Sequence, residues 1–160
     1  MSFLAPAPVT DSGETIANDG FFPDIEIEAL RLTQRLDGTV TPPRLRAEAV
    51  EAMASVNAAL SRWRDARRAD GFETLAEVTS VDGRAVEKIA GNSVLVHRYK
   101  RAVFCWAHAS LIEKYRNFDA TGAGVKLDDV TRPGADELRR DAAWAISDIT
   151  GRRRTTVELI

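Results

Sequence analysis

The chain has 160 residues, 44% of them apolar and 29% charged, the length of one domain able to bury about 70% of the surface its unfolded form exposes. That excludes wholesale disorder. A net charge of −2 and a pI near 5.7 argue against a protein that coats duplex DNA, which needs a basic excess. The single cysteine, Cys105, excludes an internal disulfide framework and any multi-cysteine zinc module.

No apolar run approaches the roughly 20 residues that span a bilayer. The N-terminus lacks a basic n-region and an apolar h-region, so it does not read as a secretory signal. The expected compartment is the cytoplasm, or wherever an assembly leaving it goes.

Residues 1–20 mix Pro6, Pro8, Gly13 and Gly20 with small polar residues and show no periodicity, which predicts a flexible arm. Charge is lopsided. Positions 1–30 hold Asp11, Glu14, Asp19, Asp24, Glu26 and Glu28 and no Lys or Arg, a net −6, against +4 for the rest of the chain.

Phe21-Phe22-Pro23-Asp24 interrupts the polar arm. Asp24 is expected to cap a short helix over about 25–36, with Phe22 or Phe21 packing back as a staple, and the helix is expected to end before Gly38. Thr41-Pro42-Pro43 is a stronger start signal, a hydroxyl cap followed by proline where the missing N–H costs nothing. From there to Ala69 nothing breaks a helix, and Gly71 offers a left-handed stop. Leu45, Ala49, Ala52, Val56, Ala59 and Trp63 recur at spacings of four and three, a seam widened by Met53 and Leu60. Such a helix is about 40 Å long. Its far end, Arg62 to Arg68, is strongly basic and includes Trp63.

Residues 71–91 carry three glycines and short apolar pieces and read as a loop with one helical turn at most. Asn92 or Ser93 is expected to cap a helix over about 93–117 whose middle, Ala102 to Ile112, is apolar on nearly every face. A helix apolar all round is buried all round, so this one is the expected hub. After a loop over 118–134, a helix over about 135–150 carries Leu138, Ala142, Ala145, Ile146 and Ile149 on one face, closed by Gly151. The final residues, Arg152-Arg153-Arg154-Thr155-Thr156-Val157-Glu158-Leu159-Ile160, place three arginines before a β-prone, partly alternating tip. Apolar tips of this kind add to, or insert into, a neighbour.

The expected fold class is therefore all-α, a small bundle of about four helices. A flexible arm over 1–20 precedes a helical domain over 21–151, and an interaction tail over 152–160 follows it.

No constellation carries chemistry convincingly. Cys105 and His108 stand three residues apart on the central helix, with His97 eleven before His108. A zinc site or a thiolate–imidazole pair is conceivable, but no further Cys or His exists to complete it. A buried run would also raise the thiol pKa and block a substrate. Core packing is the expected role. Asp128-Asp129 lacks the ligand spacing of a calcium loop, and Gly122-Ala123-Gly124 before Lys126 lacks the length of a phosphate loop. The Arg62–Arg68 cluster reads first as a solvated helix end, then as a protein contact, and last as a nucleic-acid contact. No enzyme, cofactor or metal is expected.

A set of segments, collinear to the last residue, is similar to the head completion protein family of contractile-tailed temperate phages, the GpL type. It runs from Phe21-Phe22-Pro23-Asp24-Ile25 through Pro43-x-Leu45-Arg46 and Ala69-Asp70-Gly71-Phe72 to Arg101-Ala102-Val103 and Ala109-Ser110-Leu111-x-Glu113-Lys114-Tyr115-Arg116. It resumes at Asp136-Glu137-Leu138-x-Arg140-Asp141-x-x-Trp144-Ala145 and closes with Gly151-x-x-Arg154-x-x-Val157 and Ile160. The arm before Asn18 and the 71–91 loop depart from the family pattern.

The resemblance implies a structural virion protein at the head–tail junction, assembled in the host cytoplasm. It would add to the portal vertex after DNA packaging, retain the genome and present the platform for tail attachment. Implied partners are the portal protein, neighbouring copies in a ring matching the portal's twelvefold symmetry, and a tail-terminator or tail-completion protein. Packaged DNA passes by without sequence-specific binding. Candidate partner-binding residues are Arg152, Arg153, Arg154, Thr155, Val157, Leu159 and Ile160, with Phe21, Phe22 and Asp24 at the domain's start. The acidic 1–30 stretch and the basic tail would form a complementary pair between copies. The alternatives are a small helical DNA-binding module and a regulatory adaptor.

Overall fold

The computed structural model describes residues 13–119 and 133–152. It opens with strand β1 (Thr15–Ile16), which pairs antiparallel with β2 (Ile25–Glu26), Thr15 opposite Glu26 and Ile16 opposite Ile25. The loop between them folds around Asp19, whose Oδ1 accepts the backbone N–H groups of Phe21 and Phe22, both at 3.0 Å. Of the arm expected over 1–20, residues 1–12 lie outside the described residues. Residues 14–20 form a strap across the helices, with Ile16 buried beneath it.

Helix α1 (Ile27–Thr33) is shorter than the expected 25–36 span. Ile25 and Glu26 are committed to the ladder, and the extended residue that starts the helix is Glu26. Asp24 does not cap it: its Oδ1 accepts the Asn18 backbone N–H at 2.8 Å. At the other end Leu36 N bonds Arg31 O and Arg35 N bonds Leu32 O, a Schellman closure with Arg35 at φ +53° in the position glycine usually takes. Buried Arg31 donates to the carbonyls of Asp37 and Val40, tying the following loop to the helix.

Helix α2 (Pro42–Ala69) has the bounds its sequence signals predict, but the Thr41 hydroxyl makes no capping hydrogen bond. Thr41 precedes two prolines, and Gly71 at φ +94° closes the end as Phe72 N reaches back to Arg67 O. The buried seam is Leu45, Ala49, Ala52, Met53, Val56 and Leu60, joined by Glu48. Ala59, expected in the seam, faces solvent, and Trp63 is half-buried.

The all-α expectation fails between α2 and the next long helix. A 3-10 turn (Leu75–Glu77) held by a Thr74/Glu77 capping box leads into two hairpins. In the first, β3 (Ser80–Val81) pairs with β4 (Arg84–Ala85) across Asp82-Gly83. In the second, β5 (Lys88–Ile89) pairs with β6 (Asn92–Ser93) across Ala90-Gly91. Both central residues of each turn have positive φ: Asp82 +50° and Gly83 +75°, Ala90 +50° and Gly91 +79°. That is the pattern of a two-residue type I′ turn, whose twist matches its flanking strands. With β1–β2, the described residues hold three two-stranded antiparallel sheets beside four α-helices, so the class is mixed α and β.

Helix α3 (Val94–Asp119) is the hub. Ser93 Oγ accepts the Leu95 N–H at 3.3 Å near its start. From Ala102 to Leu111 every residue except half-buried Trp106 is buried. Lys114 pairs with Glu48 near one end and Tyr99 bonds Asn57 nearer the other, so α2 runs antiparallel to it. Helix α4 (Ala135–Thr150) also runs antiparallel, since Arg139 meets Glu113 and Arg98 reaches Asp148 O. Its buried face is Ala135, Leu138, Ala142, Ala145 and Ile149, with Gly151 at φ +71° beyond its end.

Candidate functional site

The acidic N-terminal stretch is answered within its own domain. Glu14 pairs with Arg46 at 2.6 Å, Asp19 Oδ2 with Arg64 at 2.9 Å, and Glu26 approaches Lys100 at 4.0 Å. Burial alone would push the Asp19 carboxyl up. The N–H groups of Phe22 and Phe21, together with Arg64, outweigh it and hold the carboxyl below the usual range. The expectation that this stretch faces the basic tail of another copy meets a structure in which three of its acids already have partners.

Phe21 and Phe22 serve the core. They are 1% and 3% exposed. Phe22 stacks on Tyr99 with centroids 4.8 Å apart, and Phe21 meets Phe22 and Trp63 edge-on. Beside them Asn18, Asn57 and Tyr99 form a closed triangle. Asn18 Nδ2 donates to the tyrosine oxygen at 2.8 Å, that hydroxyl donates to Asn57 Oδ1 at 2.6 Å, and Asn57 Nδ2 donates to Asn18 Oδ1 at 2.8 Å. Burial pushes the Tyr99 phenol well above its ordinary pKa. These residues, with Asp24, fasten the strap onto α2 and α3.

The lone thiol sits in a small apolar cluster with Ala109, Ala135, Leu138 and Ala142. Burial, then the nearby Asp141 carboxylate, raises its pKa, which suppresses the thiolate a nucleophile or metal ligand requires. The structure does not bring the three candidate side chains together. A ring nitrogen of His108 lies 2.8 Å from Gln34 Oε1, and His97 Nε2 lies 2.8 Å from the Ile89 carbonyl. Asp128, Asp129, Gly122, Gly124 and Lys126 lie outside the described residues.

Three of the four arginines at the basic end of α2 have partners within the domain, and Arg62 is exposed. Arg64 bridges Asp19 and Asp65. Arg67 pairs with Asp70 and lies over the Trp63 ring, and Arg68 lies over Phe21. A surface built to neutralise phosphates would leave such charges open.

The C-terminal candidates begin at Arg152, which is exposed. Arg153, Arg154, Thr155, Val157, Leu159 and Ile160 lie outside the described residues. The root of this tail is close to the first hairpin: a Cβ added to Gly151 would lie 3.3 Å from an Asp82 carboxylate oxygen. From Asp82 to Asn92 every residue except half-buried Val86 is exposed, and among the described residues Ile89 is one of three large apolar side chains open to solvent, with Leu32 and Val50. Sequence reading missed this double hairpin as a surface element. Its signal was Asp82-Gly83 set between Val81 and Val86.

No helix among the described residues is long and apolar enough to cross a membrane. Residues 16–160 match the family described as phage head completion protein (GPL). Over 157 residues the chain is 41% identical to the head completion/stabilization protein of Escherichia phage P2, which covers 98% of this chain and 89% of that protein. No solved structure matches the chain.

Proposed function

Because this chain belongs to the phage head completion protein family, we propose that it works as a structural part of the virion that adds to the portal vertex after DNA packaging. There it retains the genome and forms the platform on which the tail docks. The observation that carries this reading is the match from residue 16 to residue 160, which takes in the helices, the hairpins and the tail together. A building block rather than a reaction centre is supported by the partners that the thiol, both histidines, Arg64, Arg67 and Arg68 have inside the domain.

In this role the domain packs beside neighbouring copies in a ring that follows the portal's symmetry, and the 152–160 tail grips the portal or the next subunit. The near-balance of surface charge suits a channel wall past which DNA slides without sticking. The test mixes purified portal-bearing heads with the intact chain and with a chain ending at Gly151. The shortened chain is expected to keep the intact chain's circular dichroism and melting curve and to lose attachment. Undiminished attachment would refute the tail's role.

A further inference from the structure

The hairpins β3–β4 and β5–β6 are the most solvent-exposed part of the described domain, and Ile89 on β5 is 54% exposed. Their cross-strand bonds, extended by Val86 N to Thr79 O and Val94 N to Glu87 O, lie inside each ladder. The outward backbone N–H and C=O groups of an edge strand are a template for an added strand, a short one in these two-residue strands. The charges of Asp82, Arg84, Glu87 and Lys88 cancel, which suits neither a phosphate backbone nor an anionic membrane.

A segment of matching chemistry leaves the domain beside these hairpins. Gly151 abuts the β3–β4 turn, and the eight residues 153–160 that follow reach about 26 Å when extended. Thr155-Thr156-Val157-Glu158-Leu159-Ile160 is rich in strand-forming residues and contains no Gly, Pro or Asn to double the chain back on its root.

We propose that the hairpin pair of one copy receives the 155–160 segment of a second copy as an added strand, with Ile89 offering apolar surface to its aliphatic residues. This rests on the reading of 152–160 as the attaching element and names what receives it. Donor and receiver are different surfaces, so the contact is heterologous and can repeat from copy to copy.

The test is amide hydrogen exchange on the full chain across a hundredfold range of concentration, with Ile89→Lys and Leu159→Lys compared. Exchange at residues 84–92 is expected to slow as concentration rises. A synthetic 152–160 peptide should produce the same slowing at low protein concentration. Each variant should shift the midpoint at least tenfold, and Ile89→Lys, an exposed position, should leave the melting curve unchanged. Exchange insensitive to concentration, protection already complete in dilute protein (the chain's own tail in place), or wild-type behaviour of Ile89→Lys would each overturn the proposal. If hairpin protection fails to appear while the chain ending at Gly151 still loses attachment to heads, only the hairpin falls as receiver. If protection appears while that shortened chain still attaches, the strand addition holds and only the head-attachment reading falls.

Discussion

Replacing Tyr99 by phenylalanine removes one oxygen and keeps the ring on Phe22, 4.8 Å between centroids and 8° from parallel. The lost hydroxyl accepts from Asn18 and donates to Asn57. Asn18 Nδ2 keeps its bond to the Pro23 carbonyl at 2.9 Å, whereas Asn57 Oδ1 loses its hydroxyl donor in a half-buried site. A net hydrogen bond is worth about 1 kcal/mol and an orphaned buried acceptor costs about 1–3 kcal/mol, so partial burial places the loss near 2 kcal/mol. In a domain of this size that lowers the melting temperature by about 4–8 °C. Urea unfolding of Tyr99→Phe, Asn57→Ala and the double variant measures both the loss and its sharing. Because the three side chains close one ring of bonds, the double variant should fall short of the additive sum by about 1 kcal/mol. Hydrogen exchange should quicken in the strap, residues 14–22, more than in α4. A loss below about 0.5 kcal/mol, or strict additivity, would refute the triangle as the fastening.

Two other tests address charge and the thiol. Asp19 has its carboxyl held low in the folded state, so its contribution is complete above the unfolded value of about 3.9 and is lost as pH falls through the lower folded value. Asp19→Asn should therefore be less stable at pH 7 by about 1 kcal/mol, and the gap to wild type should close on acidification toward pH 3. A gap that widens there would contradict the assignment. Cys105 is 5% exposed and its pKa is raised by burial and Asp141, so an aromatic disulfide reagent should label it at least about tenfold more slowly in folded than in urea-unfolded protein. Equal rates would mean that the α3–α4 contact opens freely.

The long helices were legible because each buries a continuous face and is bounded by backbone chemistry with few alternatives. Two prolines after Thr41 and glycine at 71 bracket α2, the uncharged run Ala102–Ile112 marks the hub, and Gly151 ends α4. The errors have equally local causes. Strands of two residues are too short to show alternation, so β3 to β6 left no periodic signal. Asp82-Gly83 was readable as a hairpin turn, but Ala90 adopts a left-handed conformation that its residue type disfavours. Helix α1 ends three residues early because Arg35, not a glycine, takes the left-handed closing position.

The acidic stretch shows a different limit. Composition registers a charge of −6 over 30 residues, but the pairing of Glu14, Asp19 and Glu26 with Arg46, Arg64 and Lys100 joins positions 32, 45 and 74 apart, which no local window contains. Exposed pairs of this kind are each worth about 0–1 kcal/mol. Their role is to set the strap in register while Phe21, Phe22, Ile16 and Ile25 supply the burial. Once the strap has used its aromatics and much of its charge internally, what remains for a partner narrows to surfaces the fold leaves open. Among the described residues Leu32 and Val50 are two such surfaces, and the hairpin pair around Ile89 and the exposed root at Arg152 are two more. The latter two lie side by side because α4 ends, at Gly151, against the Asp82 turn, a proximity set by helix packing and invisible in a sequence that separates the two by 69 positions.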